Sequence, residues 1–319
     1  MPFLPARPNL GQLRNQAKDL LRAAQRGEPD ALARIGDRVI LASAQLAIAR
    51  EHGFSSWPAL KLEVTRREVF NSRDLSRLAQ LLREHPSLAT TRMEHWCDHK
   101  RGADVLGYMA MLRFDHERLG LPADLPGTAA MAKALIDAGA PVDGQPGDRE
   151  TPLITAASYG DAEVARVLID AGADIEAKST LDSGGVPGGT ALHHAAVFTM
   201  TEVVDLLVAS GARIDSLEMA ATAGDLSGWE PAAFPLQNRL RALVFAADHE
   251  RLDVIDALVA AGTPVNEADE KWQRMPLHTA AGSGRAGSVR RLLAHGADPN
   301  LRDPATHRTA KEWRADFFS

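Results

Sequence analysis

The chain has 319 residues, of which 45% are hydrophobic and 24% charged, with a formal net charge of −6. Such an apolar content supports a continuous core and excludes disorder as the default state, and no apolar run reaches the roughly 18 to 20 residues that span a bilayer. Residues 1–70 carry eleven Lys/Arg against seven Asp/Glu, so the remainder is acidic, repels phosphate backbones and makes nucleic acid a poor partner.

The opening MPFLPARPNLGQLRNQ lacks the basic, apolar and small-residue pattern of a secretory signal, and a lone cysteine, Cys97, makes no internal disulfide; a reducing cytoplasm is expected. Aromatics are only 5% and alanine is abundant, which favours an all-α fold built on close helix packing. Leu10, Leu13, Ala17, Leu20, Leu21 and Ala24 recur at helical spacing, and the pattern stops at Gly27. A second helix is predicted from an N-cap at Ser43, and a third after Gly53-Phe54, capped by Ser55-Ser56. Residues 1–68 therefore read as a small helical module. Its plainest role is to cover an apolar face of the segment that follows.

From Leu75, LSRLAQLLREHPSLA reads as the second helix of a degenerate hairpin, and Asp104 opens DVLGYMAMLRFDHERLG, whose partner helix is TAAMAKALIDAGAPVD. One unit then recurs. It begins at Thr151 (TPLITAASYGDAEVARVLIDAGADIEA), Thr190 (TALHHAAVFTMTEVVDLLVASGARIDS), Arg241 (RALVFAADHERLDVIDALVAAGTPVNE) and Met275 (MPLHTAAGSGRAGSVRRLLAHGADPNL). Glycines 139, 172, 211, 262 and 296 close the second helices at spacings of 33, 39, 51 and 34 residues. The Ala-Ala pairs at 156–157, 195–196, 246–247 and 280–281 allow close helix approach. Val164, Val167 and Leu168, repeated as Val203, Leu206 and Leu207, form a stripe that only a neighbouring unit can bury. Thr309-Ala310 stands in register with a last first-helix, which Trp313, Phe317 and Phe318 would seal.

This unit resembles the ankyrin repeat, a helix–turn–helix of about 33 residues with a T-P-L-H-x-A start, successive units being joined by β-hairpin loops. The resemblance implies an ankyrin-repeat solenoid of about five to six repeats over residues 69–319. The string AQxxIAREHGFxSWxxL, from Ala44 to Leu60, resembles a short helical module that often precedes ankyrin repeats in bacterial proteins. Spacings above 34 place long insertions near 116–127, 179–189 and 216–238, the last two in hairpin loops, where contact elements belong.

The resemblance implies a protein or peptide partner held in the concave groove. The positions after each Ala-Ala pair are Ser158 and Tyr159, Val197 and Phe198, Asp248 and His249, and Gly282 and Ser283; those before each motif are Glu150, Gly189, Leu240 and Arg274. Tyr159 and Phe198, with Trp229 and Trp272 on nearby loops, are the candidate anchors, because an exposed aromatic costs solubility unless a partner covers it. His193 and His278 occupy the consensus histidine, which the resemblance assigns to a bond between repeats. His194, Asp248 and His249 are polar groups the repeat does not explain. The loop Glu94, His95, Trp96, Cys97, Asp98, His99 sets His95, Cys97 and His99 on one face of an extended chain, a donor set zinc accepts, although no fourth ligand is adjacent. Trp96 there is a further contact candidate. No catalytic or cofactor-binding motif is present: G-x-S-x-G, H-E-x-x-H and C-x-x-C are absent, and Gly282-Ser283-Gly284 lacks the strand and lysine of a phosphate loop. A binding protein without cofactor is the first expectation. A small-molecule pocket or unusual active site closed by the insertions is the second.

Overall fold

The computed structural model describes residues 4–93, 103–122 and 124–317, and among these every regular element is a helix. Two compact units share the chain: residues up to 148 with 170–172, and 149–169 with the residues from 173 on. The expected module end at residue 68 lies inside a helix, and the division between compact units falls 80 residues later.

The first unit opens with α1 (Leu10–Gln25), whose N-cap Asn9 accepts a hydrogen bond from Gln12 N at 2.9 Å, followed by α2 (Pro29–Ile35). Next comes α3 (Leu41–Glu51), which starts two residues before the predicted cap at Ser43, with Ile40 in extended conformation as N-cap. Ser56 caps α4 (Trp57–Ser72), accepting from Ala59 N at 3.3 Å. Leu13, Ala17 and Leu20 of α1 meet Ala44 and Ile48 of α3 and Leu60 and Val64 of α4 in one apolar core, so the helical stripes read from sequence are the buried ones. On α4 the buried Glu63 accepts from Arg66 Nε at 2.9 Å and Arg67 Nε at 2.8 Å, and Arg66 in turn donates to the carbonyls of Thr91 and Arg92. Then follow α5 (Leu75–Glu84), capped by Asp74, and α6 (Val105–Met111), capped by Asp104. The 116–127 insertion is not wholly irregular, because it contains α7 (His116–Leu119) before α8 (Thr128–Asp137). Helix α8 packs on both α5 and α6.

In the second unit, first and second helices alternate: α9 (Pro152–Tyr159) with α10 (Ala162–Asp170), then α11 (Ala191–Val197) with α12 (Thr201–Ala209). Thr151 caps α9 through Ile154 N, and Pro152 at the first helical position has no N–H to leave unpaired. At the α9–α10 turn Gly160 has φ +76°, a left-handed conformation that favours glycine, and a Cβ there would stand 2.5 Å from Met200 Sδ of the next repeat, so that side chain would have to move.

The 216–238 segment departs from the expected long loop. It contains α13 (Leu217–Ala223), capped by Ser216, a single turn at Pro231–Ala233, and the start of α14 (Leu236–Asp248). Helix α13 is a first helix whose second is missing: Ala220-Ala221 are buried like the other alanine pairs, and Gly224 closes it at φ +87°. Its neighbour α14 replaces the lost packing, with Asn238 and Arg241 donating to the buried Glu218. The row continues with α15 (Leu252–Ala260), α16 (Pro276–Gly282), α17 (Ala286–Ala294) and α18 (Ala310–Trp313). Val254, Ile255, Leu258, Leu277, Val289 and Leu292 form its core, and α18 closes it with buried Ala310.

Candidate binding groove

Two hairpin loops of the second unit repeat the same turn one repeat apart. In the first, buried Asp269 accepts from the backbone N–H groups of Lys271, Trp272 and Arg274 at 2.8–3.0 Å, and Gln273 takes a left-handed φ of 54°. In the second, buried Asp303 accepts from Thr306 N at 2.7 Å, and His307 takes φ 57°. Burial pushes the Asp303 carboxyl up, but the bonds from Thr306 prevail and hold it below the usual carboxylate range. These turns set Arg274 and Arg308 at equivalent positions. His278 Nε2 lies 3.1 Å from the carbonyls of both Leu301 and Arg308, tying α16 to the second loop as the consensus histidine is expected to do.

Between the loops, along α16, lies an open pocket of about 390 Å³. Trp272, Trp313, Thr279, Gly282 and Ser283 are among the residues that line it. Trp272 meets Phe245 edge-on at 5.8 Å and carries Lys271 Nζ 4.8 Å above its ring. Arg274 is exposed, its guanidinium 3.8 Å from Asp248, too far for a hydrogen bond. Phe198, Trp272 and Trp313 remain 40%, 38% and 41% exposed. Tyr159, at the end of α9 beside α11, is half-buried. Trp229 lies 5.8 Å from Phe234, and both pack on the core around α13 to α17, so the long segment spends its aromatics on its own packing.

The polar candidates prove to be interior ties, in contrast to the expectation of exposed contact or acid–base groups. Asp248 is fully buried, accepting from Thr199 Oγ1 at 2.9 Å and from Ser283, while Arg285 Nε donates to its carbonyl at 2.8 Å. His249, equally buried, approaches Ala196 O with Nε2 at 2.9 Å and Thr201 Oγ1 with Nδ1 at 3.0 Å. Arg285 Nη2 also donates to Thr201 Oγ1 at 3.0 Å; because Ala196 O can only accept, the neutral ring carries its proton on Nε2 and accepts the Thr201 hydroxyl proton at Nδ1. Burial lowers the His249 pKa. These bonds join the turn after α11 to the turn after α14, a spacing the 34-residue repeat does not foretell.

His194 is buried beneath the 179–189 insertion. Its Nε2 faces Val186 O at 3.1 Å and its Nδ1 faces Ser158 Oγ of the previous repeat at 2.9 Å. Burial pushes this ring's pKa down too, partly offset by the Glu150 carboxylate. Ser179 Oγ donates to Val186 O at 2.7 Å and Ser183 Oγ to Glu150 at 2.5 Å, so the loop is fastened to its own repeat. His193 caps its own helix through Thr190, and its Nε2 faces Asp215, in the loop between α12 and α13, at 3.4 Å. Trp96, His95, Cys97 and His99 lie outside the described residues; among those described, no group of three His, Cys, Asp or Glu could hold a metal ion. Lys271 and Arg308 were not singled out by motif reading, although the change of charge after residue 270 is visible in the sequence.

Stacked helical hairpins, closed by left-handed turns and bridged by repeating loops, define a helical repeat protein. The ankyrin-repeat family model, described as three copies of the repeat, matches residues 123–218 and 224–303, more than half of the chain, and the chain belongs to that family. Among solved structures, the human ASB11 ankyrin repeat domain matches at 20% identity over 65% of this chain and 90% of that one, with a TM-score of 0.34. No curated protein matches the chain. No helix among the described residues is long and apolar enough to cross a membrane.

Proposed function

We propose that this ankyrin-repeat chain is a binding scaffold whose second unit holds a protein or peptide segment along its first helices and hairpin loops. The observation that carries this reading is the set of large aromatic side chains, Phe198, Trp272 and Trp313, left exposed on a unit whose other described aromatic residues are buried or half-buried. Ankyrin repeats generally serve as protein-interaction scaffolds, and interface energy concentrates in aromatic and arginine anchors. Burial of His194, Asp248 and His249 in saturated hydrogen bonds supports binding over acid–base chemistry at those residues.

The test replaces Phe198 and Trp272 together by alanine and measures affinity for a partner isolated with the wild-type chain. Each anchor contributes at least about 2 kcal/mol at an interface, so the double variant should bind at least tenfold more weakly while its helical circular dichroism is unchanged. Equal affinity in a folded variant would remove the groove assignment.

A further inference from the structure

The charge of the second unit reverses along the chain. Residues 149–270 hold seven Lys/Arg against twenty Asp/Glu, whereas residues 271–319 hold nine against four. The acidic members of this last stretch are largely engaged: Asp303 is buried in its own turn, Glu312 closes the capping box of α18 with Thr309, and Asp316 pairs with Arg314. The cations in and beside the pocket make no such close ion pair: Arg274 lines it, and Lys271 and Arg308 flank its two tryptophans. Lys271 and Arg308 lie over the two tryptophans, with Arg308 5.9 Å from the Trp313 ring, and Arg274 reaches only a carboxylate already bonded by Thr199 and Ser283.

From this we infer that the Trp272–Trp313 pocket takes an acidic linear peptide, with an apolar side chain between the tryptophans and carboxylates on Arg274 and Arg308. The inference rests on the groove reading above and adds the chemistry of its ligand. The two arginines occur one repeat apart, and packed helices lie roughly 8–10 Å from each other. A peptide in the polyproline II conformation has three residues per turn and rises about 3.1 Å per residue, so carboxylates three positions apart, with the apolar residue between them in sequence, share a face and match the pair. Guanidinium–carboxylate bonds are charge-assisted and can be bidentate, which favours arginine at both positions. A nucleic acid would also offer anions and stacking bases, but its evenly charged backbone would have to run beside the acidic repeats. A peptide confines its negative charge to the basic end.

The experiment selects from a random dodecapeptide library with the full chain. Enriched peptides are then measured by fluorescence anisotropy, beside a fluorescein-labelled single-stranded oligonucleotide. Enrichment of Asp or Glu at positions i and i+3 around an apolar residue is expected. Affinity should weaken at least tenfold in the exposed-site variant Arg274→Glu/Arg308→Glu at unchanged thermal midpoint, and should fall as salt is raised. Peptides that are neutral or basic, or that bind the charge-reversed variant equally, overturn the acidic ligand; if Phe198→Ala/Trp272→Ala still abolishes their binding, the groove reading survives. Tighter binding of the oligonucleotide than of any peptide overturns it as well. Failure to enrich any peptide counts against the inference and the groove reading together.

Discussion

His249 shows how one residue couples two repeats and makes the fold sensitive to pH. Burial disfavours its charged form, and in the neutral ring Nε2 donates to Ala196 O while Nδ1 accepts from the Thr201 hydroxyl. His194 is likewise buried with a lowered pKa. In the unfolded chain both rings take up a proton near the ordinary value of about 6.5, whereas in the fold they do so only at lower pH. The unfolded state therefore binds more protons between the two values, and unfolding free energy decreases as pH falls below about 6.5, by at most about 1.4 kcal/mol per pH unit for each ring. The depressed carboxylates, such as Asp256 and Asp303, titrate further down, whereas burial raises the Asp104 carboxyl, which acts in the opposite sense and makes the histidine variant the comparison that isolates the ring. Urea titrations at pH 7.5 and 5.5 should show the loss in the wild type and a smaller loss in His249→Gln. Equal losses would mean that His249 does not titrate with folding.

At the scale of elements, α13 is the part of the fold that periodicity conceals. Leu217 is buried against the core formed with α14 to α17, so Leu217→Ala should destabilise the protein by about 2–5 kcal/mol, as deletion of a buried leucine does. A residue in a loose connecting loop would change stability by less than about 0.5 kcal/mol, and denaturant unfolding separates the two outcomes. The hairpins at Thr151, Thr190 and Met275 were legible because each couples a turn signal to a 3.6-residue stripe, and both signals report the same burial. Helix α13 was not, since the repeat was tracked by the glycine after each second helix and this unit has none. The same distinction separates the site residues. The exposure of Phe198 and Trp272 was readable, because both stand at positions the repeat leaves open to solvent. The inward turn of Asp248 and His249 depends on Thr199, Thr201, Ser283 and Arg285, which approach from other repeats and follow no local pattern.

For the molecule as a whole, net charge is a term that no single contact reveals. Twenty carboxylates against seven cations over residues 149–270 repel one another in the folded state more than in the expanded chain. Salt screens this repulsion, with a Debye length of about 8 Å at 0.15 M. It also screens the exposed ion pairs, such as Arg149–Asp182 at 3.1 Å and Arg291–Asp256, but each contributes only about 0–1 kcal/mol. Repulsion among many like charges should outweigh these few attractions. The thermal midpoint is therefore expected to rise between 20 and roughly 300 mM NaCl, by an amount corresponding to on the order of 1 kcal/mol. Chloride suits the measurement because sulfate would stabilise any fold by exclusion from its surface. A midpoint that falls with salt would show that the local pairs, not the net charge, dominate the acidic repeats. Since an acidic ligand at the basic end would be weakened by the same salt, stability and affinity should move in opposite directions along one titration, which separates the global field from the local one.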